Sequence, residues 1–390
     1  GSTQASSVFV QRTTVGTGTF QTRMTLTSGN GPYFVSTGDL DGDGHTDIVT
    51  ADNSGSTVSV FLGNGNATFS ARTTKYAGVG PSSVGVVDVN ADGIFDLVSS
   101  DVFSDQLYVF LGNGNGTFQA GSTLSTGSSP YVVITGDVNG DGKVDLIDNE
   151  WGSDTLSVFL GNGNGTFAAR TTVSTGANPR YLAAADLNGD GKLDLLSSDE
   201  SDNTVSIRLG NGNGTFQART TVAAGTGPKH ITTADLNNDG KLDLINTDNG
   251  SNTVSIMLGN GNGTFQSRTT LAIGSAPRTA LAKDLNGDGN LDLVTVDTSD
   301  NALSVFLGNG NGTFKTRSTM ASASATLGSI SNSYALCRRW SLVAVEESSN
   351  RRAAAFSVLK RPQRACMRSW AKPSGSASAK GRNALSFGSP

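Results

Sequence analysis

Short acidic strings recur along this chain at a fixed spacing. Each follows the pattern Asp-x-Asn/Asp-x-Asp-Gly-x-x-Asp, and the six copies start at Asp39, Asp88, Asp137, Asp186, Asp235 and Asp284. Alternate residues at the first, third and fifth positions can point short oxygen-bearing side chains at one centre, and the glycine at the sixth position permits the sharp turn. Hard oxygen ligands with several carboxylates suit Ca²⁺ better than softer metals. The pattern therefore predicts a calcium loop in each copy.

The expected ligands occupy the same five positions of every loop. Positions 1, 3, 5 and 9 supply side-chain oxygens, and position 7, whose residue type varies freely, supplies its backbone carbonyl. In chain order the sets are Asp39, Asp41, Asp43, His45, Asp47; Asp88, Asn90, Asp92, Ile94, Asp96; Asp137, Asn139, Asp141, Lys143, Asp145; Asp186, Asn188, Asp190, Lys192, Asp194; Asp235, Asn237, Asp239, Lys241, Asp243; and Asp284, Asn286, Asp288, Asn290, Asp292. We expect about six Ca²⁺ ions with a structural role, because metal binding contributes to the free energy of folding. The alternative is that these are Asp-rich turns that merely suit hairpins.

The charge distribution agrees with cation binding and restricts the possible partners. Residues 1–314 carry 15 basic and 31 acidic side chains, whereas residues 315–390 carry 13 basic and 2 acidic ones. Carboxylates crowded in this way repel one another unless cations lie between them. An acidic body does not attract phosphates, so no nucleic-acid partner is expected. No apolar run approaches the ~18–20 residues that span a bilayer, so we expect no membrane insertion, and we expect a monomer.

A second repeated string indicates the elements that hold these loops. Leu-Gly-Asn-Gly-Asn-Gly-Thr-Phe ends at Phe118 and at four later positions, each 49 residues after the one before, and a near copy ends at Phe69. In the fourth unit, residues 180–185, 193–198, 204–209 and 215–222 have the composition of strands, and residues 200–203 that of a polar turn. Six such units predict an all-β fold, a β-propeller of four-stranded antiparallel blades.

The two ends of the chain depart from the repeat. We expect residues 1–20 to form an extension with a partial repeat, residues 21–320 the propeller, and residues 321–390 a divergent basic tail. The tail is either disordered or a degenerate last blade. In the second case its strands would join a strand over residues 20–26, and seven blades would close the ring; the alternative is six. Cys337 and Cys366 are a candidate pair that nothing else in the sequence supports.

The acidic loop and the Gly-Asn turn together resemble the FG-GAP-like (VCBS) repeats, the blade type also found in the integrin α-subunit propeller and in some fungal lectins. The resemblance covers about residues 20–314. It implies a calcium-loaded propeller, commonly of seven blades, in secreted or surface-exposed proteins, with the loop ligands named above. The chain departs from the family in lacking a recognisable seventh acidic loop.

The link between blades varies more than the acidic loops do. In such blades the links and the turns between the second and third strands share one face. We expect a ligand site on this face, formed by Tyr131, Trp151, Arg180, Tyr181, Lys229, His230 and Arg278. Aromatic faces stack on sugars and basic groups bind carboxylate or sulfate, so a glycan, or a surface protein, is the expected ligand. The alternative is neutral variation in exposed loops.

No set of nucleophile, base and acid is recognisable in the sequence. There are two His residues, and no H-E-x-x-H, G-x-S-x-G or phosphate-binding loop is present. We therefore expect a calcium-stabilised recognition or adhesion module, secreted or on the cell surface. The alternative function is a calcium-dependent hydrolase or lyase with its site at the channel mouth, beside Arg180, Lys229 and His230. A third reading is a passive spacer within a larger surface protein.

Overall fold

The computed structural model describes residues 7–14, 19–20, 24–321, 326–327, 341–347 and 356–359, and all its regular elements are strands apart from one 3₁₀ turn at Asn53–Gly55. The chain begins with β1 (Ser7–Thr14), β2 (Thr19–Phe20) and β3 (Met24–Thr27). Six four-stranded antiparallel sheets follow, as the repeat predicts, and they are called blades 1 to 6.

The strands of the first three blades recur at the spacing of the sequence repeat. They are β4 (Pro32–Gly38), β5 (Asp47–Asp52), β6 (Thr57–Phe61) and β7 (Thr73–Tyr76); β8 (Pro81–Val87), β9 (Asp96–Asp101), β10 (Gln106–Phe110) and β11 (Ser122–Ser125); and β12 (Pro130–Gly136), β13 (Asp145–Glu150), β14 (Thr155–Phe159) and β15 (Thr171–Ser174).

The last three blades have the same strand lengths, and three strands follow them. They are β16 (Pro179–Ala185), β17 (Asp194–Asp199), β18 (Thr204–Arg208) and β19 (Thr220–Ala223); β20 (Pro228–Ala234), β21 (Asp243–Asp248), β22 (Thr253–Met257) and β23 (Thr269–Ala272); β24 (Pro277–Lys283), β25 (Asp292–Asp297), β26 (Ala302–Phe306) and β27 (Ser318–Ala321); and then β28 (Thr326–Leu327), β29 (Ser341–Glu347) and β30 (Phe356–Leu359).

Burial changes systematically across each blade. The second strand is buried at every position in all six blades, whereas the fourth strand is mostly exposed. First strands of neighbouring blades contact one another, as β16 does β20, so the first strand is innermost and the fourth outermost. This order explains why the second strand is buried at every position although about half of its residues are polar, as in DLLSSD of β17: it is covered on both faces by the adjacent blades.

The hydrophobic core is divided into separate clusters between blades. One cluster joins Ile147 and Val158 of blade 3 to Leu182 and Leu195 of blade 4, and all four are at most 1% exposed. A single blade could not bury both of its faces, so each one depends on its neighbours for stability.

The fourth strand is shorter than the sequence predicts. In blade 4 we expected a strand over residues 215–222, but β19 covers only Thr220–Ala223. Phe216 instead forms an isolated bridge with Gly210, which closes the Gly-Asn turn. Gly212 and Gly214 have φ of 74° and 78°, values that favour glycine, so the turn accounts for residues that strand propensity alone would extend. The predicted turn over residues 200–203 is confirmed.

Strands from both ends of the chain share one further sheet. β1 pairs with β3 and with β29, and β29 pairs with β28 and β30. Both β29 and β30 contact β4, the inner strand of blade 1. The sheet has six strands, whereas the predicted seventh blade would have four. Half of the predicted extension, most of the predicted tail and both cysteines lie outside the described residues. Within those residues, no helix has the length and apolarity that crossing a membrane requires.

Candidate functional site at the channel mouth and in the acidic loops

A local irregularity in every blade aims one side chain at the propeller axis. The first strand of each blade starts with Pro, and its pairing with the second strand shifts register directly after that Pro. The residue that follows the Pro is therefore left out of the ladder, and a bulge of this kind redirects its side chain. The six bulge residues are Tyr33, Ser82, Tyr131, Arg180, Lys229 and Arg278, and all six line one hollow. This hollow is called the mouth.

Aromatic and guanidinium groups in the mouth contact one another across the axis. The rings of Tyr33 and Tyr131, from blades 1 and 3, meet edge to face with centroids 5.6 Å apart. Arg278 of blade 6 donates hydrogen bonds of 2.8 Å to the Tyr33 hydroxyl and 3.4 Å to the Tyr131 hydroxyl. The Arg180 guanidinium lies 4.2 Å from the centroid of Tyr131 and 5.9 Å from that of Trp151, which is 39% exposed. The structure thus brings together Tyr131, Trp151, Arg180 and Arg278.

Two of the basic groups share one carboxylate. Lys229 donates a hydrogen bond to Oε1 of Glu200, and Arg180 Nε lies 3.6 Å from Oε2 of the same residue. Burial lowers the pKa of Lys229 to about 8, and the positive charges of Arg180 and Arg278 act in the same direction, against the effect of Glu200. The lysine is therefore largely desolvated, with two positive charges and one negative charge close to its ammonium group.

His230 lies beneath the mouth, whereas the half-buried Tyr181 lines it, so neither residue stands on an exposed rim. Their rings are 4.1 Å apart, and His230 is only 4% exposed. Burial lowers the pKa of His230 to about 3, so its imidazole is neutral, and burial raises the pKa of Tyr181. The sequence analysis placed both residues on an exposed rim. Tyr33, outside that predicted set, lies in the mouth, and its 49-residue spacing from Ser82 and Tyr131 was the signal that could have identified it.

The first acidic loop contains a cluster of three carboxylates. Asp39, Asp41 and Asp43 each offer an oxygen, and these oxygens lie within 4.8 Å of one another. Oδ2 of Asp39 accepts a hydrogen bond from the Gly44 amide, whereas its buried Oδ1 has no hydrogen-bond partner. An oxygen buried without a donor is costly, and a hard cation between these carboxylates would satisfy it. The donor set of this loop fits Ca²⁺.

The other loops have the same backbone turns with fewer carboxylates. In the fourth loop Asp186 Oδ2 accepts from the Gly191 amide at 2.8 Å, and Asp190 Oδ1 accepts from the Lys192 amide at 3.0 Å. The Lys192 ammonium lies 3.2 Å from Asp190 Oδ2 on the exposed side of the loop. The side-chain oxygens of Asp186, Asn188 and Asp190 each accept a backbone N–H of the same turn, while the Lys at position 7 points its charge at position 5.

The carboxylate oxygens of the ninth-position aspartates accept hydrogen bonds from backbone amides. In blade 4 Asp194 accepts hydrogen bonds from the Leu187 amide at 2.9 Å and from the Gly210 amide at 2.8 Å. All six equivalents are fully buried: Asp47, Asp96, Asp145, Asp194, Asp243 and Asp292. Burial is also the main reason why the pKa of Asp194 is raised. Each one joins its acidic loop to the Gly-Asn turn, a role that the sequence analysis did not assign.

A second set of buried acids ends the second strand of each blade. In blade 4 Asp199 accepts hydrogen bonds from Ser197 at 2.8 Å and Ser206 at 2.5 Å, and Arg219 lies 3.8 Å away. Its equivalents in the other blades are Asp52, Asp101, Glu150, Asp248 and Asp297, all buried. Their oxygens hold hydroxyl groups and link amides in place, which agrees with the capping role expected of short carboxylates at turns.

The acidic loops and the mouth lie at opposite ends of the inner strand. Tyr33 is near the start of β4, and Asp39 directly follows its end at Gly38. At about 3.3 Å per residue, six residues place them roughly 20 Å apart. A cation in the acidic loop would therefore lie far from His230.

The solved structures with a similar fold belong to proteins of different kinds. One is a lectin from Agrocybe aegerita that recognises non-reducing terminal N-acetylglucosamine (21% identity, 81% of this chain and 90% of that chain, TM-score 0.59). Others are BBS1N in complex with ARL6DN (14%, 87% and 95%, TM-score 0.58) and a catalytically inactive virginiamycin B lyase from Staphylococcus aureus with quinupristin (13%, 87% and 96%, TM-score 0.55). Identities this low show the fold alone.

Comparison with protein families gives a more specific result. No curated protein matches this chain. The model of the FG-GAP-like repeat matches residues 39–99, 88–147, 149–197, 186–246, 244–295 and 284–335, so the matches extend over most of the chain. They coincide with the six acidic loops and the blades that carry them. The chain belongs to the FG-GAP-like repeat family of β-propellers.

Proposed function

We propose that this propeller is a recognition module that binds its ligand at the mouth. The observation that carries the proposal is the convergence of six equivalent bulge positions, whose residues are tyrosine, serine, arginine and lysine in different blades. The acidic loops, by contrast, repeat almost unchanged. The side chains differ between blades at the mouth and are nearly the same in all the acidic loops at the other end. We therefore take the acidic loops as the scaffold and the mouth as the binding surface.

A carbohydrate is the ligand class that we propose for this surface. Trp151 presents an exposed aromatic face beside Arg180, and aromatic faces with neighbouring polar groups suit sugar rings. The lectin among the similar structures supports this choice, since its propeller recognises N-acetylglucosamine. A surface protein is the other class of partner, and the complex of BBS1N with ARL6DN shows that a similar fold can hold a protein.

We further propose that each acidic loop holds one structural Ca²⁺. The oxygens at positions 1, 3 and 5 would bind the ion, whose charge would offset the repulsion between the carboxylates. Calcium sites in extracellular modules typically have dissociation constants of roughly 10⁻⁴–10⁻³ M, so exposed loops of this type suit a secreted or cell-surface protein. The hydrolase or lyase alternative needs a cation beside His230, and the distance along the inner strand favours recognition over that alternative.

A glycan array tests the proposed recognition function. The full chain in calcium should bind a subset of glycans, and Trp151→Ala should reduce that binding by roughly tenfold, because stacking of a ring on an aromatic face contributes on the order of 1 kcal/mol. Phe103→Ala is the matched control, since Phe103 is 61% exposed in the equivalent turn of blade 2, whereas Trp151 lies beside Arg180 of the mouth. Equal signals from wild type and Trp151→Ala would refute the glycan site.

A further inference from the structure

Two buried polar atoms beneath the mouth lack hydrogen-bond partners. They are Nδ1 of His230 and Oγ1 of Thr279, on residues that are 4% and 3% exposed. The residues occupy equivalent positions in blades 5 and 6, directly after Lys229 and Arg278, and Thr279 lines the mouth. A buried polar atom without a partner is costly, and for Thr279 a polar group held in the mouth can supply that partner.

The electrostatics of the mouth specify the charge of that group. Arg180, Lys229 and Arg278 line the mouth, and the described residues that line it include no acid. Glu200 lies to one side and is shared by Arg180 and Lys229. Like charges in a half-buried hollow repel: the pKa of Lys229 is lowered mainly by burial, and the charges of Arg180 and Arg278 lower it further. An oxyanion between the three cations would relieve this repulsion and accept hydrogen bonds from them.

The surroundings of Arg180 indicate the kind of molecule that carries the anionic group. Its guanidinium lies over the face of Tyr131, with Trp151 on its outer side. This stacking fixes the planar fork of the arginine, which is the geometry that binds a carboxylate through two oxygens. Trp151 then offers an apolar face next to the anion, where a sugar ring can pack.

We propose that the mouth binds an acidic sugar, with its carboxylate held by Arg180, Lys229 and Arg278 and its ring against Trp151. This inference rests on the proposed recognition function and specifies its ligand class. A sulfated sugar carries the same oxyanion chemistry. A hydroxyl group beside the acid would pair with the hydroxyl of Thr279, which lines the mouth.

Calorimetric titration of the full chain in calcium tests the inference. The probes are an oligosaccharide ending in glucuronic acid, the same oligosaccharide ending in glucose, and a glucose-6-sulfate counterpart. The acidic probe should bind at least tenfold more tightly than the neutral one, and added NaCl should weaken it. Tighter binding of the sulfated probe would overturn the choice of a carboxylate and assign the site to sulfate.

Variants show whether the mouth is responsible. Lys229→Met keeps the length of the side chain without its charge and should weaken binding of the acidic probe roughly 10- to 100-fold. Arg208→Gln is the control, since Arg208 bonds the Ser174 and Gln217 carbonyls away from the mouth. A thermal midpoint equal to that of the wild type would show that Lys229→Met is folded. If the midpoint of Lys229→Met falls, Lys229→Gln replaces it in the titration. An affinity for the neutral probe equal to that of the wild type then shows that the mouth of the variant is intact.

The two proposals fail in different ways. If the neutral probe binds as tightly as the acidic one and Trp151→Ala abolishes both, the mouth recognises glycans but the inference of an acidic ligand is wrong. If neither these probes nor any member of a glycan array binds, the recognition function itself is wrong for glycans, and the inference fails with it.

Discussion

At the scale of single residues, one buried position differs in chemistry between blades of the same geometry. In blade 5 Asn246 accepts a hydrogen bond from Ser198 at 2.6 Å and donates one to Asp248 at 2.7 Å. In blade 3 the equivalent residue is Asp148, which accepts from Ser100 at 2.9 Å, but its Oδ2 has no hydrogen-bond partner. Burial and then the charge of Glu150 raise the pKa of Asp148. Blade 3 thus buries an acid where blade 5 has an amide.

Asp148→Asn should stabilise the protein. The new amide can donate to Glu150, as Asn246 donates to Asp248, and a buried carboxylic acid is removed, so we expect about 1–2 kcal/mol more free energy of unfolding at pH 7. Urea unfolding measures the change. Asn246→Asp is the matched reverse variant and should destabilise by a similar amount; if both substitutions destabilise, the two blades are not equivalent at this position.

A pH dependence follows from the buried acid at the end of β5. Burial raises the pKa of Asp52 to about 6, while hydrogen bonds from Ser59, Thr50 and Thr57 oppose the shift. The unfolded value is about 3.9, so the folded state binds the proton more tightly, and this contribution to stability is lost as pH rises from about 4 to above 6.

Comparison with Asp52→Asn isolates that contribution. The wild type should lose roughly 2 kcal/mol relative to the variant between pH 4 and pH 7, because each pKa unit corresponds to about 1.4 kcal/mol and part of the contribution is already lost at pH 4. Urea unfolding of both proteins at matched calcium concentrations at pH 4, 5, 6 and 7 gives the difference directly. A difference that stays constant over this range would show that Asp52 does not titrate as described.

At the scale of elements, the ninth-position aspartate fastens two turns together. Asp194→Ala would leave the buried Leu187 and Gly210 amides without an acceptor, and we expect a loss of about 3–5 kcal/mol with or without calcium. Asn188→Ala changes the exposed third position of the loop. It should lower the free energy of unfolding by less than about 1 kcal/mol in EDTA, and by more than that in calcium. Urea unfolding under both conditions separates the roles. If Asp194→Ala is harmful in calcium alone, Asp194 acts as a metal ligand and not as a fastener.

Element types were predictable from the sequence because each blade repeats a strand pattern between strong turn signals. Alternation and the 49-residue spacing predicted β16, β17 and β18 to within about one residue, and the Gly-Asn turn shortened only the fourth strand. The bulge after each Pro was not predicted, since a register shift depends on pairing with the second strand. For the same reason the predicted set contains Tyr131, Arg180, Lys229 and Arg278 of the mouth but lacks Tyr33. It also places His230, which is buried beneath the mouth, on the rim.

At the scale of the whole molecule, the proposed ions act on a body with a strong negative charge. Residues 1–314 have a net charge of −16, and six Ca²⁺ would offset most of it. The first loop is expected to be the tightest site because it alone combines a carboxylate at the third position, Asp41, with the unpartnered Oδ1 of Asp39 among the described loops. Stability should therefore depend on calcium concentration more than on ionic strength.

Calcium titration of the chelated protein tests this dependence. We expect about six bound equivalents, with each loop contributing about 1–3 kcal/mol at saturating calcium, and a thermal midpoint that falls in EDTA. Asp186→Asn should remove or weaken one equivalent, and Asp41→Asn should weaken the tightest one. NaCl at matched ionic strength is the control for screening, because screening relieves carboxylate repulsion without occupying any loop. If NaCl restores the midpoint as fully as calcium does, or if the melting curve does not respond to EDTA, the loops are ordinary Asp-rich turns and the blades are stabilised by their apolar interfaces alone.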